Sequence, residues 1–275
     1  MGDTCSASLA TEPAVMSARS FLVRGLLAGL FAGLVAFGVA YVVGEPTINA
    51  AIEIEESGGL GDHHAHHAGA SQSPAASEVP RALQSTAGLL TGTILAGATL
   101  GGLLGVLSAL AIGRFGSLGV RAVSLSLAAI GFVSVSLMPF VAYPPNPPGI
   151  GHPDTIGART ALYFIMLAGS VIAAVTAVLV GRELADRWGG WYATLCAIAG
   201  YLLVTLTAMA LLPSYSEVPA DYPATLLYEF RAASLLIQLA LWATLGVVLG
   251  ELLHQLQRRG ARVEITDPVH ADQPL

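Results

Sequence analysis

Six long apolar runs, almost free of charge, constrain this chain more than anything else in it. They cover residues 21–43, 86–112, 122–143, 160–180, 191–212 and 232–250, and Arg24 is the one charged residue inside them. Each is near the 20 or so residues that an α-helix needs to cross the hydrocarbon core of a bilayer. A soluble core has no use for unbroken apolar stretches of that length. A membrane β-barrel would show short alternating strands, whereas a helix satisfies its backbone N–H and C=O groups within the segment. Composition agrees. Of the 275 residues, 54% are hydrophobic and 11% charged, against about 25% charged in an ordinary soluble domain. The expected fold class is all-α: a polytopic helical membrane protein, multi-pass, with one six-helix domain over residues 21–253 and tails at 1–20 and 254–275. The first run exceeds the roughly 7–15 residues of a secretory signal core and reads as a retained helix.

The loops set an orientation. Arg19, Arg24, Arg114, Arg121, Arg182, Arg187, Arg258, Arg259 and Arg262 fall on one side of the runs, and Arg81, Arg159 and Arg231 on the other. Basic residues concentrate on the cytoplasmic side of a membrane protein. Both termini are therefore expected in the cytoplasm. The loop 44–85, the Pro-rich loop after Tyr143 and the loop from Tyr215 to Glu229 are expected outside. Each of these outer loops carries one Arg at or just before the next run. Met138-Pro139 with Tyr143-Pro144, and Leu212-Pro213 with Tyr222-Pro223, also recur about 70 residues apart. The pattern predicts three helical hairpins. It also predicts a carboxylate partner for the outer arginines, with Asp154 beside Arg159 and Glu229 beside Arg231. Gly25, Gly29 and Gly33, and Gly97, Gly101 and Gly105, repeat every fourth residue. That spacing lines one helix face with the smallest residue, and generic close helix packing is its plainest meaning.

Several chemistries are excluded or unsupported. All twelve basic residues are Arg, so a P-loop lysine and a Schiff-base lysine are both impossible. The two cysteines, Cys5 and Cys196, are in no C-x-x-C pattern. No His, Asp or Glu lies within a run, which leaves membrane haem ligation and a mid-membrane proton relay without residues. No nucleophile–base pair marks an enzyme, and a net charge of −6 with so few charged residues gives nucleic acid no basic surface.

The outer loops hold the residues that point to metal. Glu45, Glu53, Glu55, Glu56, Asp62 and Glu78 lie in the first of them, around Gly61-Asp62-His63-His64-Ala65-His66-His67. Imidazole nitrogens suit divalent transition metals, and carboxylates offset the charge of the ion. His63, His64, His66 and His67, in a Gly/Ser/Ala/Pro-rich tract, suit capture and hand-over of an ion better than tight storage. Glu45, followed by Pro46, sits at the outer end of the first run, where it either guides a cation or marks the end of the helix before a short interfacial helix through Ile54. In the second outer loop four prolines within Pro144–Pro148 make a stiff strut, and His152 with Asp154 joins the candidate metal residues. Asp154 or Thr155 is expected to cap the fourth helix. The serines and threonines Ser124, Ser134, Thr205 and Thr207 are candidates for lining a path, although hydroxyls in membrane helices commonly bond back to their own helix.

Further motifs resemble the CbtA family of predicted cobalt transporter subunits. They are Gly44-Glu45-Pro46, Pro139-Phe140, Tyr143-Pro144-Pro145-Asn146-Pro147-Pro148, Thr155-Ile156-Gly157-Ala158-Arg159-Thr160-Ala161-Leu162-Tyr163, and Phe230-Arg231-Ala232-Ala233-Ser234-Leu235 with Trp242. The resemblance implies a permease subunit, not an enzyme, in the bacterial inner membrane. It implies uptake of cobalt for cobalamin synthesis, with no tightly bound cofactor, and a small single-span partner of the CbtB type. Ligand chemistry alone admits nickel or zinc as well, and self-association stays open. The competing reading is a non-conducting membrane scaffold or metal-responsive accessory subunit.

Overall fold

A computed structural model describes residues 17–57, 80–113 and 118–266, with side chains described through Arg259. The His tract at 63–67 lies outside the described residues. Six helices are long and apolar enough to cross a membrane: α1 (Ala18–Glu56), α2 (Arg81–Ala111), α3 (Val120–Ala142), α4 (Pro153–Trp188), α5 (Gly190–Leu211) and α6 (Ala224–Thr266). Among the described residues there is no strand. The chain is an all-helical, multi-pass membrane protein.

Most of the helices overrun their apolar segments. α1 does not stop at Glu45-Pro46 but continues to Glu56 through a wide π-turn over Ala40–Gly44. Another π-turn, Phe132–Leu137, precedes Pro139 in α3, while a third, Gln84–Gly88 in α2, has no proline after it. Proline lacks the N–H that an α-turn needs, and a widened turn just before it lets the helix continue. A helix end at Pro46 was therefore the wrong expectation, because proline ends a helix only when the turn before it stays regular.

α1 and α2 form a tight antiparallel pair along the glycine series. A Cβ added at Gly33 would stand 2.6 Å from the carbonyl oxygen of Thr93, and one at Gly105 would stand 2.5 Å from that of Phe21. At Gly29 and Gly101 the clashes, with the carbonyls of Gly97 and Gly25, are tighter still. Such backbone contact is open only to glycine, and it supplies the dispersion contact that holds helices together in lipid. α6 runs through the middle of the bundle and packs on both α1 and α3. Its Trp242, Leu245, Leu249 and Leu253 are buried with Ala28, Ala32 and Ala36 of α1, Leu104 of α2, and Val120 and Ala128 of α3. Their spacing of three and four residues is the apolar stripe of a core-facing helix.

α4 and α5 form a second antiparallel pair. Gly189 reverses the chain between them in one residue, with a φ of +81° that glycine adopts without strain. Buried Ser170 and Tyr201 share a 2.8 Å hydrogen bond across this pair. Met138 of α3 packs with Met166 and joins the pair to the bundle. α1 with α2, and α3 with α4, pack as hairpins. The last two helices differ from the expected third hairpin, since α5 lies on α4 while α6 packs on α1 and α3. Composition explains the split. Trp242 and three fully buried leucines give α6 a core stripe, whereas α5 contributes only Ala193, Tyr201 and Thr205 to the interior.

The glycine seam yields a direct test. Gly29→Val should lower stability by about 1–3 kcal/mol or prevent folding, because the added methyls meet backbone that cannot yield. Gly38→Ala, on the same helix with open space around it, should be neutral or raise stability by up to about 1 kcal/mol. Thermal unfolding of the purified chain in detergent reads both.

Candidate functional site

The three connections 57–80, 143–152 and 212–223 begin and end at one end of the bundle. There the three arginines that run against the charge bias each tie two segments together. Arg81, at the start of α2, donates to the carboxylate of Glu45 and, at 3.1 Å, to Asn49 Oδ1, both on α1. Glu45 is buried, with its side chain 9% exposed. Arg159, near the start of α4, pairs with Glu217 at 2.5 Å. Glu217 also accepts from the Thr155 hydroxyl and, at 3.2 Å, from the backbone N–H of His152. Arg231 of α6 donates at 3.2 Å to the Pro145 carbonyl and at 3.2 Å to Asn146 Oδ1. Tyr143 Oη donates to the Pro213 carbonyl at 2.9 Å, which joins the Pro-rich loop to the loop before α6.

These ties differ from the local pairings expected. Arg159 takes Glu217, 58 residues away, rather than Asp154, and Arg231 takes neutral acceptors rather than Glu229. Asp154 and Glu229 are exposed. Neither Asp154 nor Thr155 caps α4. The Thr155 hydroxyl is occupied by Glu217 and the His152 carbonyl instead. A charge-assisted bond to a carboxylate is about twice as strong as a neutral one, and it turns the Thr155 hydroxyl toward Glu217.

The ties of Arg159, Arg231 and Tyr143 border a cleft of about 1050 Å³ at the loop end. Its rim includes Tyr143, Asn146, Arg159, Tyr215, Glu217 and Arg231. Its wall descends past Tyr163 and Ser234 to Leu100, Ser136 and Gln238. At the floor Trp242 Nε1 donates to Ser136 Oγ at 2.9 Å, and Ser136 Oγ donates to Gln238 Oε1 at 3.1 Å. Gln238 lies 14 residues into α6, about 20 Å along the helix. This polar relay joins α3 to α6 in a cleft lined by two of the loops and four helices.

The residues expected from the sequence are placed unevenly. Glu45 is present at the loop end but held by Arg81. His152 and Asp154 are exposed beside the Arg159–Glu217 tie and outside the cleft lining. His63, His64, His66 and His67 lie outside the described residues. Among the described residues no three His, Cys, Asp or Glu side chains converge as a metal-binding group. Ser124, Ser134 and Thr205 donate back to carbonyls of their own helices, so they offer no path. Ser136 and Gln238 were missed. The signal was available: Gln238 is the single amide in the last apolar run, four residues before Trp242.

Glu217 gives the site a pH dependence. The Thr155 hydroxyl above all, with the His152 N–H and the Arg159 guanidinium, holds its carboxyl below the ordinary carboxylate range, against a smaller opposing effect of burial. A depressed carboxylate stabilises the fold above its unfolded pKa of about 4.3 and loses that contribution as pH falls through its folded value. The loop between α5 and α6 should therefore resist protease at pH 6–7 and become progressively cleavable as pH falls below the ordinary carboxylate range. Glu217→Gln should make it cleavable throughout and flatten the profile, as read by limited proteolysis with an acid-active and a neutral protease.

Comparison with known proteins returns one family. The model of the CbtA family, described as "Probable cobalt transporter subunit", matches residues 18–254. No curated protein and no solved structure matches the chain. The match spans all six helices and every residue of the cleft, and it agrees with the motifs around Pro46, the Pro-rich loop and Arg231: this chain belongs to the CbtA family of cobalt transporter subunits.

Proposed function

We propose that the chain is the membrane permease subunit of an uptake system for a divalent transition metal, cobalt before nickel or zinc, in the bacterial inner membrane. One observation carries the reading. In a chain of a cobalt transporter family, a cleft enters a mainly apolar six-helix bundle from the loop end and finishes on a polar floor at Ser136 and Gln238. Polar side chains at membrane depth are costly, and here they line a cleft that reaches the loop end.

In this reading the loop end faces outward and both termini are cytoplasmic, as the nine-to-three distribution of arginines supports. His63, His64, His66 and His67 gather the metal with the nearby carboxylates, and His152 and Asp154 extend that surface toward the cleft mouth. Glu45 contributes after release from Arg81, since a cation and a guanidinium compete for the same oxygens. The cobalt serves cobalamin synthesis, and a small single-span CbtB-type subunit accompanies the chain. The metal is cargo, and no resident cofactor is required.

One observation favours the second reading, a non-conducting accessory subunit. Beyond Gln238 the bundle is closed by Leu245, Leu249 and Leu253, each at most 1% exposed. Conduction therefore requires α6 to shift against α3, or a partner to open the route.

Radiolabelled cobalt uptake separates the two. Cells expressing the wild type should accumulate cobalt several-fold above cells lacking the chain. Deletion of residues 61–70 should lower uptake most at limiting cobalt, and Gln238→Leu should lower it at all concentrations. Equal uptake with and without the chain, partner supplied, would leave the accessory role standing.

A further inference from the structure

The cleft has the wrong chemistry for a naked dication. Among its described lining residues there is no His, Cys or Asp, and its one carboxylate, Glu217, is saturated by Arg159, Thr155 and His152. Two guanidinia against one carboxylate leave the lining with an excess positive charge. Arg231 is the source of that excess. Its acceptors, the Pro145 carbonyl and the Asn146 amide, are both neutral, and no described carboxylate stands within ion-pair range of it. The remaining polar lining is rich in hydroxyls, among them Tyr163, Tyr215, Ser214 and Ser216. A guanidinium flanked by hydroxyl donors recognises carboxylates and other oxyanions, and the guanidinium repels a divalent cation.

Size points the same way. A metal ion with six waters occupies about 180 Å³, at about 30 Å³ per water. The cleft, at about 1050 Å³, belongs with sites for whole organic molecules, about 300–1,000 Å³. Its walls also alternate Leu100, Val135, Phe140, Ile150 and Leu227 with the polar groups, a lining suited to a carbon skeleton and idle for a hydrated ion.

We propose that the cleft binds an organic polycarboxylate anion, and that cobalt enters it as an anionic polycarboxylate chelate, with Arg231 as the residue that recognises the carboxylates. The inference rests on the cobalt-uptake reading for the metal, while the anion site stands on the cleft alone. The work divides accordingly: ligands in the loops handle the ion, and the cleft handles the shell of carboxylates around it.

The test uses the full chain in lipid nanodiscs, with cobalt citrate labelled on both cobalt and citrate, and cobalt chloride in a non-coordinating buffer as the comparison. The wild type should retain both labels of the citrate complex together, at least tenfold more tightly than it retains cobalt from the chloride. Arg231→Gln should weaken retention of the complex tenfold or more, and Arg231→Lys should restore part of it. Metal-free tricarballylate should displace the complex from the wild type, which keeps the test decisive if the variants fold poorly. Retention of cobalt without citrate, failure of a thousandfold excess of tricarballylate to displace the label, or a well-folded Arg231→Gln chain that binds like the wild type would each overturn the proposal. Uptake of free cobalt with citrate excluded would sink the chelate and keep the uptake reading. Binding of citrate in a chain that supports no cobalt uptake in either form would sink the uptake reading and keep the anion site.

Discussion

In a bilayer, lipid tails are as apolar as leucine, so helices gain nothing by hiding greasy side chains from their solvent. What holds this protein together is close approach. The antiparallel glycine seam of α1 and α2 lets two backbones touch, and the rest of the bundle is organised around that ribbon. α6 lays its Trp242–Leu253 stripe on the alanines of α1 and reaches α3 on its other side. With α6 in that central place, Gln238 and Arg231 face the space between α3 and α4, and α5 is left on the outside of α4.

The second organising interaction is the set of guanidinium ties at the loop end. Loops without regular structure need their polar groups satisfied, and each arginine does this while joining segments distant in sequence. The Arg81 tie holds the far end of α1 to the start of α2. The Arg159–Glu217 tie joins the Pro-rich segment to the loop before α6. Arg231 grips the Pro-rich loop itself. Gly149, with a φ of +79°, brings that loop against the Glu55 carboxylate of α1, where a Cβ would lie 3.1 Å from its carbon. The Arg159 and Arg231 ties thus fix the rim of the cleft.

The helices were legible because the requirement for spanning a bilayer is local: twenty apolar residues announce themselves. The glycine series was legible for the same reason, although four-residue spacing names a face and not the helix that meets it. The helix ends were less so, since the π-turns before Pro46 and Pro139 reverse the usual meaning of proline. The ties were the least legible. Glu217 reaches Arg159 across 58 residues, and nothing at either position distinguishes it from the nearer Asp154. Three of the hydroxyls singled out, Ser124, Ser134 and Thr205, serve their own helices, while Ser136, bonded to Trp242 and Gln238, forms the floor. A serine's role in lipid depends on which way its helix is turned, and that is a property of packing. His63, His64, His66 and His67 were evident as composition, and they lie outside the described residues.

Sidedness tests the central claim most directly, since the cleft can receive cargo from outside only if the loop end faces out. In a chain with Cys5 and Cys196 replaced by serine, a cysteine is placed at His152 beside the cleft mouth or at His254 near the opposite end. Intact cells are then treated with a membrane-impermeant maleimide. Labelling at position 152 without permeabilisation, and at 254 only after it, is the expected result. The reverse pattern would contradict an outward-opening cleft and the capture of metal at that face.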